Sequence, residues 1–190
     1  MEDIKGLDEE VCDVVYLKHP CLNDLLELEI TQDFYKGKPV SEFISGVIDS
    51  DRGVLNNDSS PIAISRVSTY SQYPKNITME EEADAFKMVF AYLQLYANNK
   101  NGEYMGIKKP ATESNVKLWL ENADEASLFG EYRQINKDQQ EGRPLLRKLS
   151  IVISLANYMG MVELVNKCCY LIAYAIAGKT PEQIEILLHE

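Results

Sequence analysis

Apolar and polar positions along the chain divide it into short alternating segments followed by longer stripes of helical period. Val14-Val15-Tyr16-Leu17 is β-branched and aromatic, and reads as a first strand. Lys18–Asp24 carries turn chemistry, and Leu25–Ile30 (LLELEI) reads as a second strand, so the two predict a hairpin. Phe43, Ile44, Val47 and Ile48 fall on one face at helical spacing, which predicts a helix within Ser41–Ile48 with Ser41 as its cap. Asp49–Ser60 is polar and rich in turn formers, and reads as a loop. Pro61–Ser65 (PIAIS) predicts a third short strand, and residues 66–78 show no period and read as a second loop.

Longer periodic stretches follow. Thr78 can cap a helix whose Glu80-Glu81-Glu82 suits the positive end of its dipole, and Phe86, Val89, Phe90, Leu93 and Tyr96 form its apolar stripe up to about Asn98-Asn99. Residues 99–143 read as a long polar connector, punctuated by Gly102, Gly106, Pro110, Gly130 and Gly142, with one short helix around Ser114–Glu121. Leu145, Leu149, Val152, Ala156 and Met159 predict one helix, and Leu164, Val165, Cys168, Cys169, Ile172 and Ile176 predict another. Gly178 stands where a C-terminal helix glycine belongs. Thr180-Pro181-Glu182-Gln183 then carries the cap, the first-turn proline and the capping box of a last short helix. The expected organisation is a disordered stretch over 1–13, a core over 14–98, the connector over 99–143 and C-terminal helices over 144–190. The expected fold class is α+β, with a small three-stranded sheet and a dominant helical part.

Composition narrows the chemistry. The 190 residues are 45% apolar and 26% charged, which suits one sizeable folded domain. A net charge of −11 argues against direct nucleic-acid binding and against an anionic membrane surface. No run approaches the ~20 apolar residues of a membrane span, and the acidic N-terminus is unlike a secretory signal. Four cysteines without a Cys-x-x-Cys, in a chain with two histidines, fit a reduced cytoplasmic or nuclear setting. Gly178-Lys179-Thr180 lacks the upstream glycine of a phosphate loop, since Ala173 occupies that position within a helix. Cys168-Cys169 has no further Cys or His at ligand spacing, and neither His19 nor His189 offers a convincing base to a nucleophile. These features predict a protein without a cofactor or metal that is not an enzyme.

Leu155–Ile184 (LANYMGMVELVNKCCYLIAYAIAGKTPEQI) carries Asn157-Tyr158, Leu164, Cys169, Ala173, Ile176 and Gly178-Lys179-Thr180-Pro181-Glu182, then Ile184, without a gap. This pattern resembles the Skp family, the adaptor subunits of Skp–cullin–F-box (SCF) ubiquitin ligases. Phe86–Tyr92 (FKMVFAY) is similar to the family's helix after the third strand, and the strand–strand–helix–strand opening fits its BTB/POZ fold. The resemblance implies a BTB/POZ fold with additional C-terminal Skp-type helices. It implies a cullin and an F-box protein as partners. By the same resemblance, Asn157, Tyr158, Phe43 and Ile44 are cullin-facing. Leu164, Cys169, Ile172, Ile176, Pro181 and Ile184 are F-box-facing. The chain departs from the family pattern in a longer connector and in stopping at Glu190, before the family's last helix. The alternative expectation is a self-associating BTB-type scaffold forming homo-oligomers, or a truncated adaptor that binds only one of the two partners.

Overall fold

The computed structural model describes residues 13–30, 39–50, 60–71, 74–97, 107–121, 123–136 and 139–188. Strand β1 (Asp13–Lys18) lies between β2 (Leu26–Ile30) and β3 (Ile62–Ala63). It pairs antiparallel with β2, with Val15 opposite Leu28, and parallel with β3, with Leu17 opposite Ile62. The pleat sends alternate side chains to opposite faces, so Val15, Leu17, Leu28 and Ile30 are fully buried on one face while Glu27 and Glu29 are not.

Helix α1 (Glu42–Ser50) follows, then a single 3-10 turn (Val67–Thr69) and the long helix α2 (Met79–Tyr96). A capping box starts α2: the Thr78 hydroxyl accepts from the Glu81 backbone N–H at 3.2 Å, and the Glu81 carboxylate accepts from the Thr78 N–H at 2.9 Å. Helices α3 (Glu113–Trp119) and α4 (Ala123–Phe129) and a 3-10 turn (Gly130–Gln134) lead into α5 (Gln139–Tyr158). Helices α6 (Val162–Ile176) and α7 (Pro181–Leu188) complete the described chain. α2 packs on the sheet and on α5, α5 on α6, and α7 on α5, and one continuous core joins them. Both predicted features around α7 are present. Gly178 takes φ +75°, and Thr180 and Gln183 exchange the two bonds of a capping box.

Residues 99–106 of the segment expected to be a connector lie outside the described residues, and its described part contributes side chains to the core. Trp119, Phe129, Tyr132 and Ile135 are buried, and the Trp119 ring meets Phe129 at 5.1 Å and, nearly perpendicular, Tyr170 in α6 at 5.8 Å. Burying side chains of this size contributes ~1.5–3 kcal/mol each, so the segment stabilises the fold rather than bridging two parts of it. The short helix expected around Ser114–Glu121 is α3. The helix expected from Leu145 begins at Gln139, so the connector's boundary at 143 falls inside α5. Gly142 lies within α5 as a packing residue, because a Cβ there would stand 2.7 Å from the Ile135 carbonyl oxygen. The third strand is shorter than expected, and Asp13, expected to end the disordered stretch, is the first residue of β1. Residues 1–12 of that stretch lie outside the described residues. No described helix is long and apolar enough to cross a membrane.

Candidate partner-binding surface

The end of α5 and the start of α1 are built as one unit. Gly160 takes φ +65°, with Met161 N–H bonded to the Ala156 carbonyl at 2.8 Å and Gly160 N–H to Asn157 at 3.1 Å. This is a glycine-dependent helix stop in which a left-handed residue satisfies the last carbonyls. Glycine is required twice over, since a Cβ at 160 would lie 2.7 Å from Cβ of Glu42. The Met159 carbonyl just before it accepts the Ser41 hydroxyl at 2.7 Å and the Phe43 N–H at 3.2 Å. Ser41 in turn accepts the Ile44 N–H at 3.2 Å, and so caps α1 as its position predicts.

This junction brings two of the four expected cullin-facing residues into contact. The rings of Phe43 and Tyr158 lie 5.2 Å apart, both half-buried, and Asn157 is exposed beside them. Ile44 is a correction. It is fully buried and packs into the core, because the helix face that carries Phe43 outward turns Ile44 inward. A residue from the segment 66–78, which has no periodicity, completes the cluster. Tyr70, at the end of the first 3-10 turn, stacks on Tyr158 at 4.5 Å and 13°. The Tyr158 hydroxyl points to the Ser65 hydroxyl at 3.4 Å. No periodicity marks Tyr70 or Ser65, and only the fold brings them to the end of α5.

The second expected surface is divided. Cys169, Ile172 and Ile176 recur at helical spacing along α6, with Cys169 exposed and the two isoleucines half-buried against the core. Leu164 is a correction, since it is fully buried and presents nothing to a partner. Pro181 is exposed and Ile184 half-buried on α7, a separate element that is anchored to α5 through Leu187 and through a bond from the Arg143 guanidinium to the Ile186 carbonyl. A groove of about 1320 Å³ opens between residues 74–76, α5 and α7, over Leu146, Ile153 and Leu187. None of the ten expected partner-facing residues lines it.

A buried polar cluster supports the aromatic face from behind. Glu82, in the first turns of α2, is fully buried; it accepts the Val67 N–H at 2.6 Å and the Arg66 guanidinium at 3.2 Å, and lies 3.4 Å from His19 Nε2. His19 is also fully buried, stacked on Phe86 at 4.5 Å. Desolvation lowers its pKa more than the neighbouring Glu82 raises it. Burial likewise raises the pKa of Cys21. Donor atoms of His19, Cys21 and Glu82 lie within 4.8 Å of one another, which is a metal-ligand grouping by residue type. The bonding opposes that use. His19 Nδ1 accepts the Cys21 backbone N–H at 3.2 Å, so the ring's proton sits on Nε2, facing Glu82. The Arg66 guanidinium already supplies the cation. The cluster ties the β1–β2 turn, the 3-10 turn and α2 together.

Comparison of the chain with protein-family models, with curated proteins and with solved structures found no match.

Proposed function

We propose that this protein is a Skp-like adaptor with a BTB/POZ-type fold, which joins a cullin scaffold to an F-box substrate receptor in a ubiquitin ligase. The observation that carries the reading is the aromatic face at the α1–α5 junction. The resemblance in sequence assigns Asn157, Tyr158 and Phe43 to one partner. The fold then brings residues 43 and 158 into contact although they are 115 positions apart in the sequence. Aromatic side chains on a rigid base with an exposed amide beside them are the composition of an interface centre. The apolar strip of Cys169, Ile172 and Ile176 on α6 supplies a second face for the receptor.

The mechanism is geometric. The adaptor performs no bond chemistry. It holds the receptor's substrate near the ubiquitin-charged enzyme and so raises the effective concentration of one for the other. Two variants separate the faces. Asn157→Lys places a charge on an exposed residue of the first face, and Cys169→Arg does the same on the second. Calorimetric titration of each full-length variant with a cullin N-terminal domain and with an F-box domain is the test. The reading requires Asn157→Lys to lose the cullin and keep the F-box domain, and Cys169→Arg to do the reverse. Wild-type protein that binds neither would overturn it.

A further inference from the structure

We infer that Tyr70 is the anchor side chain of the α1–α5 face, the residue that enters a pocket on the cullin partner. The inference rests on the adaptor reading and adds a residue that the family resemblance did not supply. Among the three rings, Tyr158 is the middle one, stacked on Tyr70 and tilted against Phe43. Phe43 covers it at 5.2 Å and Tyr70 at 4.5 Å, and its hydroxyl is turned to Ser65. A ring covered in this way has little surface left to offer and acts as a support. Tyr70 is the outer ring, 37% exposed.

Its position is fixed before any partner arrives. The Tyr70 N–H bonds the Val67 carbonyl at 3.1 Å, and the Val67 N–H bonds the buried Glu82 carboxylate at 2.6 Å. The face of the ring lies flat on Tyr158. A large aromatic held on a preorganised turn loses little conformational freedom on binding, which is the property of residues that dominate interface energetics. The rim gives the partner's chemistry. Glu42 is exposed at the start of α1, against Gly160, and the whole chain carries −11. The matching surface is therefore one with an apolar pocket and basic side chains around it.

The test compares full-length wild type with Tyr70→Ala, Tyr70→Phe and Asn157→Lys. Each is titrated with the cullin N-terminal domain and, as a control on the fold, with the F-box domain. Loss of a dominant anchor weakens binding by about 30-fold or more. Tyr70→Ala is expected to show that loss toward the cullin while binding the F-box domain as wild type does. Tyr70→Phe, which keeps the ring, is expected to bind both as wild type does. Tyr70→Ala binding the cullin normally, while Asn157→Lys does not, overturns the inference and leaves the adaptor reading standing. Equal loss toward both partners also overturns it, by showing that Tyr70 is needed for the fold. Wild type that ignores the cullin overturns the adaptor reading and this inference with it.

Discussion

Removing the charge of Glu81 tests how the start of α2 is held against α5. Its carboxylate accepts the Arg147 Nε at 2.5 Å, and Arg147 also donates to the carbonyls of Lys75 at 3.0 Å and Asn76 at 3.1 Å. The guanidinium is the largest influence on Glu81 and, with bonds from Thr78, lowers its pKa from 4.5 to about 2, against the opposing effect of partial burial. The folded pKa is depressed, so the stabilisation is present above the unfolded value and is lost as pH falls toward the folded one. A shift of that size, fully shielded, corresponds to about 3 kcal/mol. Glu81 and Arg147 are 34% and 27% exposed, and solvent screening reduces the expected contribution to about 1 kcal/mol. Glu81→Gln keeps an oxygen for the capping box and removes only the charge. Urea unfolding of wild type and variant at pH 7 and pH 3 reads the difference. The variant should be less stable by about 1 kcal/mol at pH 7, equivalent to ~2–4 °C in melting temperature. The gap should shrink by more than half at pH 3. A gap that is the same at both pH values, or absent at pH 7, would refute the argument.

Two further outcomes follow from burial. Glu82→Ala strands the Val67 N–H and the Arg66 guanidinium and removes the group facing His19, and should cost about 3–5 kcal/mol in denaturant unfolding; a wild-type midpoint would show that the cluster is not a structural tie. Leu164→Ala should lower stability by about 2–5 kcal/mol because the side chain is fully buried. Its surviving folded fraction should bind an F-box domain normally, whereas a specific loss of binding at unchanged stability would return Leu164 to the interface.

Helices whose apolar residues recur at 3.6-residue spacing were legible in the sequence: α2, α5 and α6 all carry such stripes. Caps were legible too, because Ser41, Thr78 and Thr180 bond to backbone groups within three residues of themselves. The segment around 123–135 was not. Its buried residues Phe129, Tyr132 and Ile135 recur every three positions around a 3-10 turn, and polar residues fill the intervals. Gly142 imitated the punctuation of a loop, yet it lies within α5. At the candidate surface, the family resemblance named Asn157, Tyr158, Phe43, Ile44 and Leu164 as partner-facing, and the structure leaves the first three within reach of solvent and buries Ile44 and Leu164. Helical spacing identifies an apolar face without saying which of its members reach solvent. Tyr70 and Glu82 were missed for a different reason. Their roles depend on contacts between elements, and Glu82 within Glu80-Glu81-Glu82 has the appearance of a solvated helix start although it is fully buried.

An adaptor of the proposed kind holds two partners at once on one molecule of this protein. Light scattering coupled to size-exclusion chromatography of the full chain mixed with a cullin N-terminal domain and an F-box domain measures this directly. A single species with the mass of one copy of each is the expected result. Masses showing multiples of this chain alone, or complexes with only one partner at a time, would contradict it.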